Sequence, residues 1–499
     1  MREEERMKNN MNRDSKLQRQ LSPMYVWAIA FGCIIGWGSF INPGKKFLPN
    51  SGVAGTAIAM ILGALVMIII AFSYAYMVPK YPKAGGEFTF TKMCFGKTAA
   101  YICGWFLVAA YLTNVPMNST AIGLIVDGLD GTTDILKWGF HYQIAGFDIY
   151  LGEMLLAMAI LILFGILNIL GVKKAGFIQT LLSALLVISV FSLTIAAFVS
   201  NKVSISNMAP WWGFDKPAAI TAAANGTYTN IDEFAHRGSI QITSAIFSTF
   251  AIAPWAYVGF DTIPQAAEEF NFSYKKVSFI MIIAIIFGCF VYTANNTITA
   301  VVLENWPDLI VYSEGTPWLL LKATERLLGL PGKILVGVAV FSAVLTGIMG
   351  FYLAASRLMY SMSRDGYLPK IFGNIDEKHG TPKNAIIFCI IISLSGPILG
   401  REALGWFVDM SAIGASIGYF FTCASTFTSL KKDQYGTLFI KIMAIIGIIF
   451  SVGFIILQII PIPGLDGVHF VKESYFMLIV WIIIGTIFYI KQKKYFIKN

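Results

Sequence analysis

Long runs without charged side chains constrain this chain more than any other feature. A helix needs about 20 apolar residues to cross the hydrocarbon core of a bilayer, and twelve runs free of Asp, Glu, Lys and Arg approach or exceed that length. They cover residues 20–44, 47–79, 98–126, 154–172, 175–201, 238–260, 277–303, 334–356, 384–400, 410–430, 442–465 and 474–490. Because the runs are continuously apolar, and do not alternate over about ten residues as barrel strands do, they predict an all-α integral membrane protein with twelve spans.

The low charge content excludes a soluble enzyme. Charged residues make up 13% of the 499 positions and hydrophobic residues 56%, whereas soluble globular chains carry about 25% charged residues. The net charge of +9 is spread in short clusters between the apolar runs, a pattern of membrane topology that does not predict nucleic-acid binding. The six cysteines form no CxxC pair, so the sequence predicts neither a disulfide framework nor a zinc site.

The distribution of Lys and Arg predicts the orientation of the chain in the membrane. With the N-terminus in the cytoplasm, 26 of the 37 basic residues fall in cytoplasmic segments and 11 on the opposite side. Basic residues accumulate on the cytoplasmic side of membrane proteins, so we expect a multi-pass protein of the cell membrane with both termini in the cytoplasm. The N-terminal tail mixes acids and bases and lacks the features of a signal peptide.

Two of the runs contain helix-breaking residues at corresponding places. The first carries Gly36 and Gly38, and the sixth carries Pro254 and Gly259 just before Asp261. Each backbone group that a break frees in lipid costs several kcal/mol unless protein or a wet cavity satisfies it. If runs one to five and six to ten are two repeats, the breaks are equivalent, and paired broken spans indicate the central site of a transporter. Close packing of helices through glycine is the alternative.

Five strings resemble the amino acid–polyamine–organocation (APC) transporters, in family order and over residues 22–430. They are IIGWGSF (34–40), YPKAGGEF (81–88), NILGVK (168–173), AYVGFD (256–261) and RDGYLP (364–369). The resemblance, to a bacterial-type amino acid permease of this superfamily, implies a LeuT-like 5+5 inverted repeat. It also implies twelve transmembrane helices, of which helices 1 and 6 are broken, and alternating access to a midplane site.

The implied fold divides the chain into five parts. These are a cytoplasmic tail (1–21), the first repeat with helices 1–5 (22–200), an extracellular loop (201–238), the second repeat with helices 6–10 (239–430), and helices 11–12 with a cytoplasmic C-terminus (431–499).

The implied function is secondary active transport of amino acids. A polyamine or amino-alcohol transporter or exchanger of the same fold is the alternative, and a channel is a more remote one. No HExxH, GxSxG or Walker motif is present and no paired intramembrane carboxylates are evident, so an enzyme is not expected. We expect a small-molecule substrate and the lipid bilayer as partners, no nucleic acid and no cofactor. The oligomeric state stays open.

The resemblance also implies the substrate contacts. Backbone N–H groups around residues 36–38 would bind a carboxylate, because the start of a half-helix presents unpaired donors and partial positive charge. Freed carbonyl groups near residues 34–35 and 255–258 would accept hydrogen bonds from the substrate ammonium group. The predicted set is Ile34, Ile35, Gly36, Trp37, Gly38, Trp255, Ala256, Tyr257, Val258 and Gly259. Asn114, which interrupts helix three together with Pro116, is added from the sequence itself, with a packed kink as the alternative.

One residue of this set departs from the family pattern. Relatives usually have a small residue where Trp37 stands. The indole therefore narrows the pocket, which predicts a small or slim substrate, or it points away from the pocket.

The coupling ion is open between sodium and a proton. Many proton-coupled relatives have a lysine in helix five, about seven residues after the glutamine matched by Gln179, but this chain has Leu186 there, which excludes that mechanism. Asp261 lies at membrane depth, where an acid is expensive and functional by default; it would exchange a proton, hold a cationic group or fix the loosened backbone. Sodium would need oxygen ligands, for which the resemblance offers Ser39, Asn295, Asn296, Ser342 and Thr346.

An inner gate is also expected, with a solvated loop face as the alternative. The acidic pair Glu268 and Glu269 follows the sixth span, and one of several cations after the eighth span would bind it. The candidate cations are Arg357, Arg364, Lys370, Lys378 and Lys383.

Overall fold

A computed structural model describes residues 17–130, 134–144, 147–312, 318–400, 403–431, 437–463, 465 and 468–496. Most of the predicted N-terminal tail therefore lies outside the described residues. The α-helices are α1 Pro23–Ile34, α2 Gly38–Asn42, α3 Leu48–Lys80, α4 Gly86–Phe95, α5 Lys97–Asp130, α6 Leu151–Ile169, α7 Val172–Val199, α8 Lys216–Ala224, α9 Ser239–Phe250, α10 Ala253–Ala256, α11 Val277–Val302, α12 Trp306–Val311, α13 Leu319–Leu328, α14 Leu330–Arg364, α15 Lys383–Ser393, α16 Ser395–Leu399, α17 Ala403–Leu430, α18 Leu438–Ile459 and α19 Lys472–Phe496.

Shorter elements connect these helices. Strands β1 (His141–Ile144) and β2 (Phe147–Tyr150) form an antiparallel hairpin in which His141 lies opposite Tyr150. One π-helical segment spans Pro43–Phe47. The 3₁₀ segments are Ile205–Met208, Ile231–Glu233, Phe260–Glu269, Tyr274–Lys276 and Lys370–Gly373.

The helices confirm a multi-pass membrane protein. Within the described ranges, ten helical segments are long and apolar enough to cross a membrane, and two shorter apolar segments cover Pro23–Ile34 and Lys383–Leu399. These two are the predicted first and ninth spans. They are short because the first ends at a backbone break and the ninth is interrupted between α15 and α16. The count of twelve crossings therefore stays a prediction.

The centre of the bundle consists of α5 and the helices around it. The α5 helix packs against α14 and α17, while α1 packs between α7 and α14. The most apolar stretch of α5 and that of α14 are each 72% buried inside the protein. The corresponding stretches of α18 and α19 are 28% and 11% buried. A functional site shielded from lipid therefore belongs among α1, α5 and α14, and the last two helices lie at the periphery.

The helical path is interrupted at both places that carry clustered Gly and Pro. The α1 helix ends at Ile34, Ile35 is extended (φ −92°, ψ 94°), and α2 begins at Gly38. The α9 and α10 helices are followed by Gly259, whose φ is 142°. After Gly259 the chain continues as a 3₁₀ helix that packs against α1, α4 and α14.

Candidate functional site

The two backbone interruptions lie directly against each other. A Cβ atom added at Gly259 would lie 2.6 Å from the backbone nitrogen of Ile34 and 2.7 Å from the Cβ of Cys33. A Cβ added at Gly38 would lie 2.3 Å from Cη2 of Trp255. Such contacts are too short for any residue except glycine, so the glycines of both segments are required by the approach of the two chains.

The first interruption leaves backbone groups without helical partners. The last regular bond of α1 runs from Ile35 N–H to the Phe31 carbonyl (3.0 Å), and the next helix opens with Ser39 N–H donating to the Gly36 carbonyl (3.2 Å). The first N–H groups of a helix have no acceptor within that helix, and here these groups belong to residues 36–38. The Ile34 carbonyl accepts a bond from the Tyr292 hydroxyl at 3.4 Å. Tyr292 of α11 is thus a neighbour of the site that the sequence did not indicate.

Two tryptophans cover the interruptions. The rings of Trp37 and Trp255 lie 6.1 Å apart between centroids, with an angle of 54° between their planes. Both side chains are buried, with 5% and 7% exposure. The indole Nε1 of Trp37 has no hydrogen-bond partner among the described residues. A buried donor without an acceptor is costly, which makes this N–H a candidate contact for a polar ligand.

Two asparagine side chains of α5 have different surroundings: Asn114 links two helices, and Asn118 faces the site. Asn114 donates to the Ala110 carbonyl (2.7 Å) and to Ser411 of α17 (2.6 Å), so it links two helices. Asn118 uses its Nδ2 on the Asn114 carbonyl (2.9 Å), and its buried Oδ1 has no partner among the described residues. That oxygen lies 3.4 Å from where a Cβ of Gly36 would be. Asn118 was omitted from the predicted set, although a spacing of four places it on the same face as Asn114.

The side chains of Ala256, Tyr257 and Val258 are buried, and the predicted contact of this segment was through its backbone carbonyl groups. The Tyr257 hydroxyl donates to the Met60 carbonyl of α3 at 2.7 Å, so this side chain fixes the interruption to a neighbouring helix. Ala256 and Val258 are buried with 0% and 2% exposure. In this segment, Trp255 therefore contributes a side chain to the site, and Gly259 permits the close approach of the two interruptions.

The coupling candidates fall into separate groups. Ser39 donates to the Gly36 carbonyl (3.0 Å), and Asn295 donates to the Ser39 carbonyl (3.0 Å). Asn296 donates to the Gly52 carbonyl at 3.3 Å. The Oδ1 atoms of both asparagines are buried without partners among the described residues. This group lies beside α2 and the start of α3. Its two amide oxygens accept no hydrogen bond from the described residues.

The second group lies between α1, α7 and α14. The Thr346 hydroxyl is directed at the carbonyls of Ser342 (2.8 Å) and Gly32 (3.3 Å). The Gln179 amide donates to the Ala28 carbonyl (3.0 Å) and to the Thr346 carbonyl (3.2 Å). The carbonyl groups of Ala28 and Thr346 therefore each accept a bond from the Gln179 amide, and the glutamine joins the three helices. The buried Oε1 of Gln179 has no hydrogen-bond partner among the described residues.

Asp261 is fully buried and fixes the second interruption. Its Oδ1 accepts a bond from Gly259 N–H at 2.7 Å, and its Oδ2 accepts a bond from the Tyr111 hydroxyl at 2.9 Å. Tyr111 belongs to α5, so the carboxylate connects the unwound backbone to the central helix. Fixing the loosened backbone is one of the roles that the sequence left open for this acid.

Two ion pairs close one end of the bundle. Arg357 binds both carboxylate oxygens of Glu269, at 2.8 and 3.3 Å, and neither side chain is exposed. Arg364 binds both oxygens of Glu268, at 2.7 and 3.1 Å. These pairs join α14 to the 3₁₀ segment after Gly259, and two of the five candidate cations therefore bind the acidic pair.

The chain is similar in sequence to known proteins. The model of the family described as "Amino acid permease" matches residues 21–488. The cationic amino acid transporter 2, vacuolar, of Arabidopsis thaliana is 24% identical over 82% of this chain and 58% of its own length. The methylthioribose transporter of Bacillus subtilis is 23% identical over 96% of this chain and 94% of its own. The branched-chain amino acid permease of Bacillus subtilis is 23% identical over 81% and 80%.

The chain spans about 60% of the two Arabidopsis relatives but nearly the whole of the methylthioribose transporter. These relatives are all named as transporters or permeases. The family model covers most of the sequence, and this chain therefore belongs to the amino acid permease family.

Proposed function

We propose that this protein is a secondary active transporter that moves amino acids across the cell membrane by alternating access. The observation that carries the proposal is the direct contact of the two interruptions, with an unpartnered donor and an unpartnered acceptor beside them. The Trp37 indole N–H and the first N–H groups of α2 suit a carboxylate, and Asn118 Oδ1 suits an ammonium group. An α-amino acid carries both groups on adjacent atoms.

The membrane arrangement is part of the same proposal. It comprises the LeuT-like inverted repeat, twelve crossings, the five-part division of the chain, and both termini in the cytoplasm. The contact between equivalent positions of the first and sixth spans supports the repeat, because inverted repeats place their broken helices together. The ion pairs of Arg357 and Arg364 then form the cytoplasmic gate, closed in this structure.

For coupling, we propose a proton in preference to sodium. Near Thr346, the carbonyl groups of Ala28 and Thr346 already accept bonds from the Gln179 amide. The hydroxyl of Thr346 bonds back to its own helix, as Ser and Thr side chains commonly do in membrane helices. The oxygens of Asn295 and Asn296 remain as the alternative sodium ligands.

A ligand-induced thermal shift screen of the purified protein tests the substrate class. We expect α-amino acids to stabilise the protein with or without sodium, by about 2.7 kcal/mol at a ligand concentration 100 times the Kd. Free amines and amino alcohols form the comparison set, because they lack the carboxylate. Methylthioribose is included because the match to its transporter covers 96% of this chain. A shift with amines or with methylthioribose, and none with any α-amino acid, would overturn the proposal.

Trp37→Ala is expected to widen the substrate range. Removing the indole that covers the interruption opens space beside Trp255, so uptake of large amino acids relative to small ones should rise by about tenfold or more, since each methylene group is worth about 1–3 kcal/mol. Competition of labelled uptake by amino acids of increasing size measures the ratio. The matched control is Trp27→Ala, because Trp27 stacks on Phe31 in α1 and its Nε1 is likewise unpartnered among the described residues. Loss of small-substrate uptake without entry of larger substrates would contradict the prediction.

A further inference from the structure

Two buried carboxylates are linked through a chain of neutral side chains. Glu87 accepts a hydrogen bond from the Tyr74 hydroxyl (2.7 Å) at one oxygen and from the Gln265 amide (2.5 Å) at the other. Gln265 also donates to the Tyr111 hydroxyl (3.2 Å), which in turn donates to Asp261 (2.9 Å). Both acids have 0% exposure. This series of hydrogen bonds therefore joins α4, which lies between two spans, to the second interruption.

Neither acid has a cationic partner. Among the described residues, the ion pairs include neither Glu87 nor Asp261, and the gate arginines are bonded to Glu268 and Glu269. The titratable groups that interact with the two acids are Tyr74 from α3, Cys103 and Tyr111 from α5, Cys33 from α1 and Tyr419 from α17. All are uncharged when protonated. Two negative charges enclosed without compensation are strongly unfavourable, and such a pair lowers its energy by binding a proton.

One further atom is suited to a protonated state. Gln265 Oε1 is buried and has no partner among the described residues, and it belongs to the amide that contacts Glu87. Once Glu87 carries a proton, its O–H group needs an acceptor, and rotation of this amide would bring Oε1 to it. The chain therefore offers hydrogen-bond partners for both the ionised and the protonated carboxyl group.

We propose that Glu87 and Asp261 together hold the single proton that this transporter carries with its substrate, with Glu87 as the group that exchanges it with water. This inference rests on the proposed function, since it names the coupling site of the same cycle. A proton from water binds a carboxylate oxygen of Glu87 on one side of the membrane, and the same O–H bond breaks to return it to water on the other side.

The location of Glu87 connects proton exchange to the gate. The Ala84 N–H, three residues before Glu87, donates to Glu268 at 3.1 Å, and Glu268 is paired with Arg364. Ser361 of α14 donates to the Ala84 carbonyl at 2.7 Å. Separation of α14 from the 3₁₀ segment would therefore move the loop before α4 and admit water to Glu87. Asp261 holds the other end of the chain at the substrate site.

The proton-binding state also predicts a pH dependence of stability that needs no substrate. Burial, followed by the charge of Asp261, raises the pKa of Glu87 from 4.5 to about 8. The folded protein then holds a proton that the unfolded chain releases, so the free energy of unfolding falls as pH rises from about 4.5 to about 8. Glu87→Gln should flatten this part of the Tm profile and remove a titrating carboxyl C=O band in infrared difference spectra.

Transport in proteoliposomes tests the coupling itself. With a proton gradient, Glu87→Gln is expected to lose accumulation of a radiolabelled amino acid by roughly tenfold or more, while equilibrium counterflow, which needs no net proton movement, is retained. Asp261→Asn should reduce accumulation in the same way. The matched control is Glu153→Gln, since Glu153 is a buried carboxyl group that packs on Gly123 of α5.

The outcomes separate the two proposals. Gradient-driven accumulation by Glu87→Gln equal to that of the unmodified protein would overturn the proton site. An unmodified protein that binds no amino acid would overturn the proposed function, and the stability and infrared titrations would still decide whether Glu87 binds a proton. If the Tm and the carboxyl infrared band of Glu87→Gln depended on pH as those of the unmodified protein do, Glu87 would not be the proton-binding group.

Discussion

Replacing Arg357 by methionine is expected to lower the free energy of unfolding by about 3–5 kcal/mol, because Glu269 would stay buried without a compensating charge. Arg357 contacts both oxygens of Glu269, and both side chains have 0% exposure. The pair also joins α14 to the segment after Gly259, and the backbone of Glu269 accepts a bond from Leu21 N–H at 2.9 Å. The variant should therefore open the gated end of the bundle as well as destabilise it.

Denaturant unfolding in mixed micelles measures the stability, and labelling of single cysteines near Leu21 measures the opening. The double variant Arg357→Met with Glu269→Gln should recover most of the loss, since a neutral amide replaces the unpaired charge. The pair Arg326–Glu304 is the matched control. It has a similar distance of 2.8 Å, but its side chains are 41% and 69% exposed, so Arg326→Met should change stability by about 0–1 kcal/mol. Equal effects of the two arginine substitutions would contradict the prediction.

The sequence predicted those features of the fold that depend on local composition. Runs without charge located the helices, since a lipid-facing segment must be apolar along its whole length. Gly38 and Gly259 indicated where the helical path is interrupted, because glycine permits conformations and approaches that a side chain forbids. The crossing count was less certain, since a span that breaks after Ile34 leaves a helix of only 12 residues.

Side-chain contacts between distant segments were not predictable in the same way. Asn114 was predicted to contact the substrate, but only the structure shows that it bonds to Ser411 of a helix far along the chain. The sequence contains no sign that Glu87 is linked to Asp261, since the link depends on Gln265 and on the approach of α4 to the second interruption. Residues that are distant in sequence meet only when the bundle closes.

Gly259→Ala is expected to abolish transport, because this position combines a backbone conformation and a contact that both exclude a side chain. Its φ of 142° is in the region that L-residues rarely adopt, at a strain of about 1–3 kcal/mol. The added methyl group would also lie 2.6 Å from the backbone nitrogen of Ile34. The two interruptions must then separate, and Asp261 would lose its bond from the Gly259 N–H. Uptake and ligand-induced thermal shift measure the loss.

The contribution of the contact can be separated from that of the backbone conformation. Gly226, in the loop after α8, also has a positive φ of 70°, but apart from its two chain neighbours no heavy atom of the described residues lies within 4 Å of where its Cβ would be. Gly226→Ala should therefore show only the backbone strain, as a small loss of stability with substrate binding and transport retained. If Gly259→Ala behaved in the same way, the contact between the interruptions would not be required for transport. The proposed substrate site would then have to lie elsewhere in the bundle.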